Sequence, residues 1–307
     1  MTISIESKFL GAMLGAALGD AVGALAARYP DKETLIRHVD ASSCLNYTAD
    51  TVMAVALAEH ILDKRDVNTQ GLGDKFLEHF RDKPWERQGA KAPQLYTIVK
   101  QERVGYIYAA RRLFGGEGSF GNGAAMRVTP VGLFFHRSPG LYAKAQASAE
   151  VTHTHPVGID GAAVFARALA MMVDANPQRP FSPHAFVEDL IGFARTDVIK
   201  RQLALVVELL EKQTDPEEAA RQIGNRVIVQ ESMPLALFCF LHFPRSYLEC
   251  LLDSILLGGK RQAMGAMVGA VSGAYLGLES ISEVWRNKLE DNLHIETLAR
   301  ELAARAP

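Results

Sequence analysis

Apolar residues recur at three- and four-residue spacings over 51–63, 72–80, 142–151, 160–173, 185–195, 201–211, 231–242 and 246–257. That period lines one face of an α-helix. Two further stretches, 9–27 and 264–277, also read as helices and are largely apolar. Alternating strand patterns are nearly absent, and the best strand candidate, 127–135, contains Pro130 and Gly132. Gly115-Gly116, "ANPQRPFSP" at 175–183 and Asp215-Pro216 mark turns between the segments. Asp215 followed by Glu218 has the spacing of a capping box. No shift of composition or low-complexity linker divides the chain, so the pattern predicts one all-α domain over residues 1–307.

Glycine falls on one helical stripe twice, at Gly11, Gly15, Gly19 and Gly23 and again at Gly265, Gly269, Gly273 and Gly277. Two such stripes allow backbones to approach closely, so residues 9–20 are expected to pack against 264–277. Polar residues adjoin both helices in apolar settings: Asp20 in one case, Lys260, Arg261 and Gln262 in the other. The second set raises a physical question. A helix N-terminus carries partial positive charge and favours carboxylates, yet Gly258-Gly259 opens this helix with two cations.

The chain has 307 residues, 48% of them hydrophobic, and a formal net charge of -2. That balance argues against a dedicated polyanion binder, so no nucleic-acid partner is expected. Cys44, Cys239 and Cys250 stand among apolar or small residues without CxxC spacing and are expected to be reduced core cysteines. Residues 9–27 are apolar enough to suggest a leader or a membrane span. Glu6 before Lys8 is wrong for a leader, and Asp20 near the middle is costly in a membrane. A cytoplasmic protein with no membrane partner is the expectation.

Four stretches carry candidate chemistry. In "NYTADTVMAVALAEHIL" from Asn46, a helix cap accounts for one of Thr48, Asp50 and Thr51, but not for all three together. "GGEGSFGNGAAMR" at 115–127 has five glycines that let N–H groups converge on a phosphate, with Phe114 and Phe120 beside it to stack on a base. It is neither GxGxxG after a strand nor a P-loop. In "EVTHTHPVGIDGAA" at 150–163, His153 and His155 are two apart, which disfavours a zinc pair and leaves one as a polar contact to a ligand. Glu231, at a helix start before Pro234, reads as a cap or dipole partner.

In their order, "GAMLGAALGDAVG", "YTADTVMA", "GSFGNGAAMRVTPVGL", "THTHP", "ESMPLALFCFL" and "LGGKRQAMGAMVGAVSGAYLG" resemble the ADP-ribosylglycohydrolase family. The likeness spans nearly the whole chain and favours the serine- and poly-ADP-ribose-cleaving branch. It implies a compact helical fold with a cleft for ADP-ribose or an ADP-ribosylated protein. By the same resemblance, Ser119, Phe120, Gly121, Asn122, Gly123 and Met126 match the loop that binds diphosphate and ribose. Phe114 matches an adenine-stacking aromatic and His153 a pocket histidine.

The departures fall at the family's two magnesium ions. Where the family reads Thr-Asp-Asp-Thr, this chain has Thr48, Ala49, Asp50 and Thr51. Where it reads Gly-Gly-Asp-x-Asp-Thr, this chain has Gly258, Gly259, Lys260, Arg261, Gln262 and Ala263. The catalytic Glu that several members carry after the first helix is also missing, with Ala26 and Ala27 there and no Glu before Glu33. Magnesium requires hard oxygen ligands, so no magnesium cofactor is expected, and Lys260 or Arg261 is expected to pair with Asp50 or Asp20 in its place. The primary reading is a degenerate hydrolase, or pseudoenzyme, that keeps a nucleotide cleft. The alternatives are a metal-independent hydrolase or lyase using Asp50, Asp20 or Lys260 as its acid–base group, and a purely structural protein.

Overall fold

The computed structural model describes residues 3–82 and 92–307. Among them the chain forms eighteen α-helices: α1 (Ile5–Ala26), α2 (Lys32–Ala41), α3 (Ala49–Lys64), α4 (Thr69–Asp82), α5 (Ala92–Glu102), α6 (Tyr106–Arg111), α7 (Gly123–Met126), α8 (Thr129–Phe134) and α9 (Leu141–Glu150), followed by α10 (Pro156–Asp174), α11 (Pro183–Phe193), α12 (Asp197–Glu211), α13 (Pro216–Ile223), α14 (Val229–His242), α15 (Tyr247–Leu256), α16 (Arg261–Leu276), α17 (Glu283–Asn287) and α18 (Asn292–Arg305). No strand occurs among the described residues. Extended pairing is limited to isolated bridges, Leu45 with Leu289 and Gly121 with Ile228.

Helix starts follow the local chemistry. Side chains of Ser4, Asp31, Ser182, Asp215 and Ser246 each accept from an N–H in the first turn. Pro156, Pro183 and Pro216 stand at first helical positions, where the missing N–H costs nothing. Only half of the predicted capping box forms. Asp215 accepts from Glu218 N at 3.0 Å, but the Glu218 carboxylate turns to Arg221 and Gln222.

The strand candidate at 127–135 is helical, as α8. Pro130 sits in the first turn of that helix, and a Cβ on Gly132 would meet Ala166 O at 2.9 Å. The proline and glycine that weaken a strand here start one helix and admit another. Cys239 and Cys250 are buried, whereas Cys44 is exposed, because the loop before α3 leaves it at the surface.

Helices α1 and α16 form the centre. They run antiparallel with their glycine stripes in register, so backbone meets backbone. A Cβ on Gly11 would lie 2.4 Å from Gly273 O, on Gly15 2.5 Å from Gly269 O, on Gly19 2.0 Å from Gly265 O, and on Gly23 2.4 Å from Arg261 O. Two helices, α1 and α10, are long and apolar enough to cross a membrane, but here 89% and 78% of the apolar windows are buried by the other helices.

Two buried aspartates fix helix ends within this frame. Asp160 accepts from Tyr142 Oη, Arg195 N and both Thr196 N and Oγ1, which secures the start of α12. Asp20 accepts from Thr48 and Thr51, backbone and hydroxyl in each, which secures the start of α3 on the end of α1.

The glycine contact is checked by two substitutions. Gly19→Ala should lower stability in urea denaturation by about 3 kcal/mol or more, the upper part of the overpacking range, because both backbones must separate. Gly192→Ala, in the exposed end of α11 with nothing within 4 Å of the new Cβ, should instead stabilise by about 0.5–1 kcal/mol. Equal effects at the two positions would show that close approach is not what the stripe provides.

Candidate functional site

Three helix ends converge: the last turn of α1, the first turn of α3 and the first turn of α16. Gly258 and Gly259 precede α16 with φ of 94° and 66°, and a Cβ on Gly259 would lie 1.9 Å from Asn225 O. Only glycine makes that turn. Lys260 is the N-cap but makes no side-chain capping bond. Its ammonium instead reaches Asp50 Oδ1 at 3.0 Å and Met126 Sδ at 3.7 Å. Arg261 donates to Ala26 O at the C-terminal end of α1, where the dipole favours a cation. Each cation at the start of α16 is therefore offset from outside that helix.

Of the expected pairings, Lys260 with Asp50 forms, and Arg261 finds a carbonyl rather than a carboxylate. Asp50 is 1% exposed, and its Oδ2 is buried without a partner among the described residues. Asp20 is fully buried behind α3, its oxygens occupied by four donors from Thr48 and Thr51, and it does not reach the cleft. Its carboxyl is pushed up to about 7 by burial first and by the charge of Asp50 second, against the pull of those donors. Thr48 caps α3, and Ala49 and Ala263 are buried hydrocarbon.

A cleft of about 540 Å³ opens beside Lys260. Its lining includes all eight residues that the sequence marked for ligand contact: Phe114, Ser119, Phe120, Gly121, Asn122, Gly123, Met126 and His153. The loop's glycines have a steric basis: Gly118 has φ of 77°, and a Cβ there would meet Thr154 Oγ1 at 2.2 Å. The two aromatics differ. Phe120 packs its ring on His155, with centroids 5.1 Å apart, whereas Phe114 is 48% exposed at the cleft. His155 is a helix cap, accepting from Val157 N at 3.2 Å.

Sequence reasoning missed Met53, Leu95, Leu113, Arg127, Thr152, Val227 and Ile228, which complete the wall. The signal for Arg127 was available: it ends the "GNGAAMR" run. It is 1% exposed, donates to Ser148 O and Thr152 Oγ1 at 2.9 Å each, and stands 4.8 Å over the Phe76 ring. Val227 and Ile228 arrive by an extended segment that pairs with the loop, Asn122 N to Val227 O at 2.8 Å and Val229 N to Phe120 O at 3.0 Å. Glu231 holds that segment by accepting from Arg226 N and its guanidinium, so it anchors a loop rather than capping α14.

A larger recess of about 800 Å³ lies between α13 and α15. Of its charged lining residues, Arg226 pairs with Glu231, Arg221 with the neighbouring Glu218 and Asp253 with Lys32. The cleft, by contrast, presents Lys260 and the buried Asn122 Nδ2, which has no partner among the described residues.

The family model described as ADP-ribosylglycohydrolase matches residues 1–307. The chain belongs to the ADP-ribosylglycohydrolase family. Human ADP-ribosylhydrolase ARH3 is 28% identical, covering 96% of this chain and 93% of that protein. The ADP-ribosyl-[dinitrogen reductase] glycohydrolase of Rhodospirillum rubrum is 23% identical, covering 94% and 92%. A solved ADP-ribosylglycohydrolase-related protein complex superimposes with a TM-score of 0.75 over 99% of each chain at 23% identity, a likeness of fold.

Against this ADP-ribosylglycohydrolase fold the Lys260–Asp50 pair can be probed directly. Lys260→Ala should destabilise by about 3 kcal/mol, the low end for breaking a buried pair, because 33% of the Lys260 side chain is exposed. Adding Asp50→Asn should recover part of that loss, and a thermodynamic cycle with no coupling would dismiss the pair. Asp20 gives a pH test. A folded value of about 7 lies above the ordinary 3.8, so this group's stabilising contribution is complete below about pH 4 and is lost as pH rises through about 7. A carboxyl ¹³C titration should show that midpoint, and Asp50→Asn should lower it.

Proposed function

We propose that this protein binds ADP-ribose or a related adenine nucleotide, free or on an ADP-ribosylated protein, without a magnesium pair. The observation that carries the reading is the Lys260–Asp50 contact at 3.0 Å on the wall of a cleft that keeps its glycine loop. The donor set does not suit two magnesium ions. Thr48 gives its hydroxyl hydrogen to Asp20, Ala49 and Ala263 offer no ligand atom, and Asp50 already holds an ammonium. Magnesium prefers carboxylates and water in octahedral array, so no step is assigned to it here.

Without metal, the cleft favours an anion. Lys260 provides positive potential and Asn122 Nδ2 a donor, and the half-exposed Phe114 ring lines the same cleft as the candidate for stacking on a base. The reading is of a degenerate glycohydrolase acting as a nucleotide-binding regulator in the cytoplasm. A second reading rests on one feature: the Lys260 ammonium reaches the cleft beside the buried Asp50 carboxylate. That pair would serve a metal-independent hydrolase or lyase.

Calorimetry with ADP-ribose separates these readings. The degenerate reading expects binding that neither added magnesium nor EDTA changes, with the ligand recovered intact. Hydrolysis of an ADP-ribosylated protein that survives EDTA but not Lys260→Ala would favour the second reading. Binding or hydrolysis that EDTA abolishes would refute both, and no affinity for any adenine nucleotide would favour a structural role. Phe114→Ala should weaken ADP-ribose binding about tenfold or more, the loss expected when about 1–3 kcal/mol of stacking is removed.

A further inference from the structure

Arg127, Thr152 and His153 form a chain of polar contacts along the cleft wall. Arg127 makes no ion pair with a carboxylate among the described residues; its Nη2 donates to Ser148 O and to Thr152 Oγ1, each at 2.9 Å. A guanidinium can only donate, so Thr152 Oγ1 accepts from Arg127. The hydroxyl still has one hydrogen to place, and the neighbour at 2.6 Å is His153 Nδ1. If Thr152 donates to Nδ1, the imidazole proton resides on Nε2. The reverse, an Nδ1–H donating to the same oxygen, would leave the hydroxyl hydrogen with no acceptor among the described residues.

Nε2 faces the glycine loop. A Cβ built on Gly121 would lie 3.5 Å from Nε2, and one on Gly123 3.1 Å. We infer that Thr152, held by Arg127, fixes His153 as a neutral Nε2–H donor, so this wall of the cleft reads an acceptor oxygen of the phosphate class. Thr152 and Arg127 are positioning residues in this scheme. The charges that face the ring are the cations Arg127 and Lys260, with Asp50 beyond Lys260 and tied to it. Burial first and then those two cations hold the imidazole down at about 3, so the neutral ring persists through the physiological range. Asn122 Nδ2, buried on the same wall, adds a second donor.

The tautomer follows from the hydrogen bonds alone; the identity of the acceptor rests on the nucleotide-binding reading above. The test is two-bond ¹H–¹⁵N correlation of the imidazole in the intact, ¹⁵N-labelled protein. The wild type should show a neutral Nε2–H ring at His153 from about pH 5 to about pH 8. Thr152→Val removes the hydroxyl donor and should move the proton toward Nδ1, with ADP-ribose affinity falling about tenfold. Thr152→Ser, which keeps the hydroxyl, should restore both.

An Nδ1–H ring in the wild type, protonation with a midpoint near 6.5, or a Thr152→Val tautomer identical to the wild type would overturn the inference. If Thr152→Val does not fold, the wild-type tautomer and its retention in Thr152→Ser decide. If the tautomer behaves as stated but ADP-ribose does not bind, the nucleotide reading fails and the positioning by Thr152 stands.

Discussion

Backbone contact between α1 and α16 fixes the positions on which the cleft depends. Four glycines on α1 face three on α16 and the Arg261 carbonyl so closely that a single Cβ would lie between 2.0 and 2.5 Å from a carbonyl oxygen. Such contact replaces side-chain interdigitation with main-chain packing, which has little freedom to adjust. Tyr247 Oη reinforces it by donating to Gly15 O at 2.8 Å. Because the helices are antiparallel and in register, the end of α1 bearing Asp20 and Ala26 is carried to the start of α16.

That placement sets the electrostatics. Asp20 takes four hydrogen bonds from the start of α3, which turns Asp50 toward Lys260. Two cations at a helix N-terminus oppose the dipole. Lys260 is offset by a carboxylate on α3, and Arg261 by the carbonyl end of α1. The arrangement uses the meeting of three helix ends, and no two of them would suffice. It also places an ammonium at the cleft wall, which the Asn122 side chain shares.

Much of this was legible. The helical periods and the two glycine stripes reappear in place, and the eight residues marked for ligand contact line one cleft. The misreadings share a cause: local pattern was silent about neighbours. Cys44 stands in an apolar-looking stretch, yet its loop passes over the surface. Glu231 has the sequence position of a cap, but Arg226 turns back to claim it. Thr152 was invisible as a cleft residue because its meeting with Arg127 depends on the end of α7 and the turn after α9 coming together.

Residue order alone settles the helices, the close approach of two of them, the resemblance to the family, and the absence of carboxylates at Ala49, Lys260 and Gln262 and of a hydroxyl at Ala263. These follow from period, glycine spacing and residue identity, which are properties of short segments. Tertiary packing settles which carboxylate Lys260 takes, that Asp20 serves as an anchor, that Phe120 packs on His155, and which nitrogen of His153 faces the cleft. Those outcomes are choices among partners distant in the chain. Spacing and residue type allow several pairings equally, and the packing of helix ends brings only one of them within hydrogen-bonding distance.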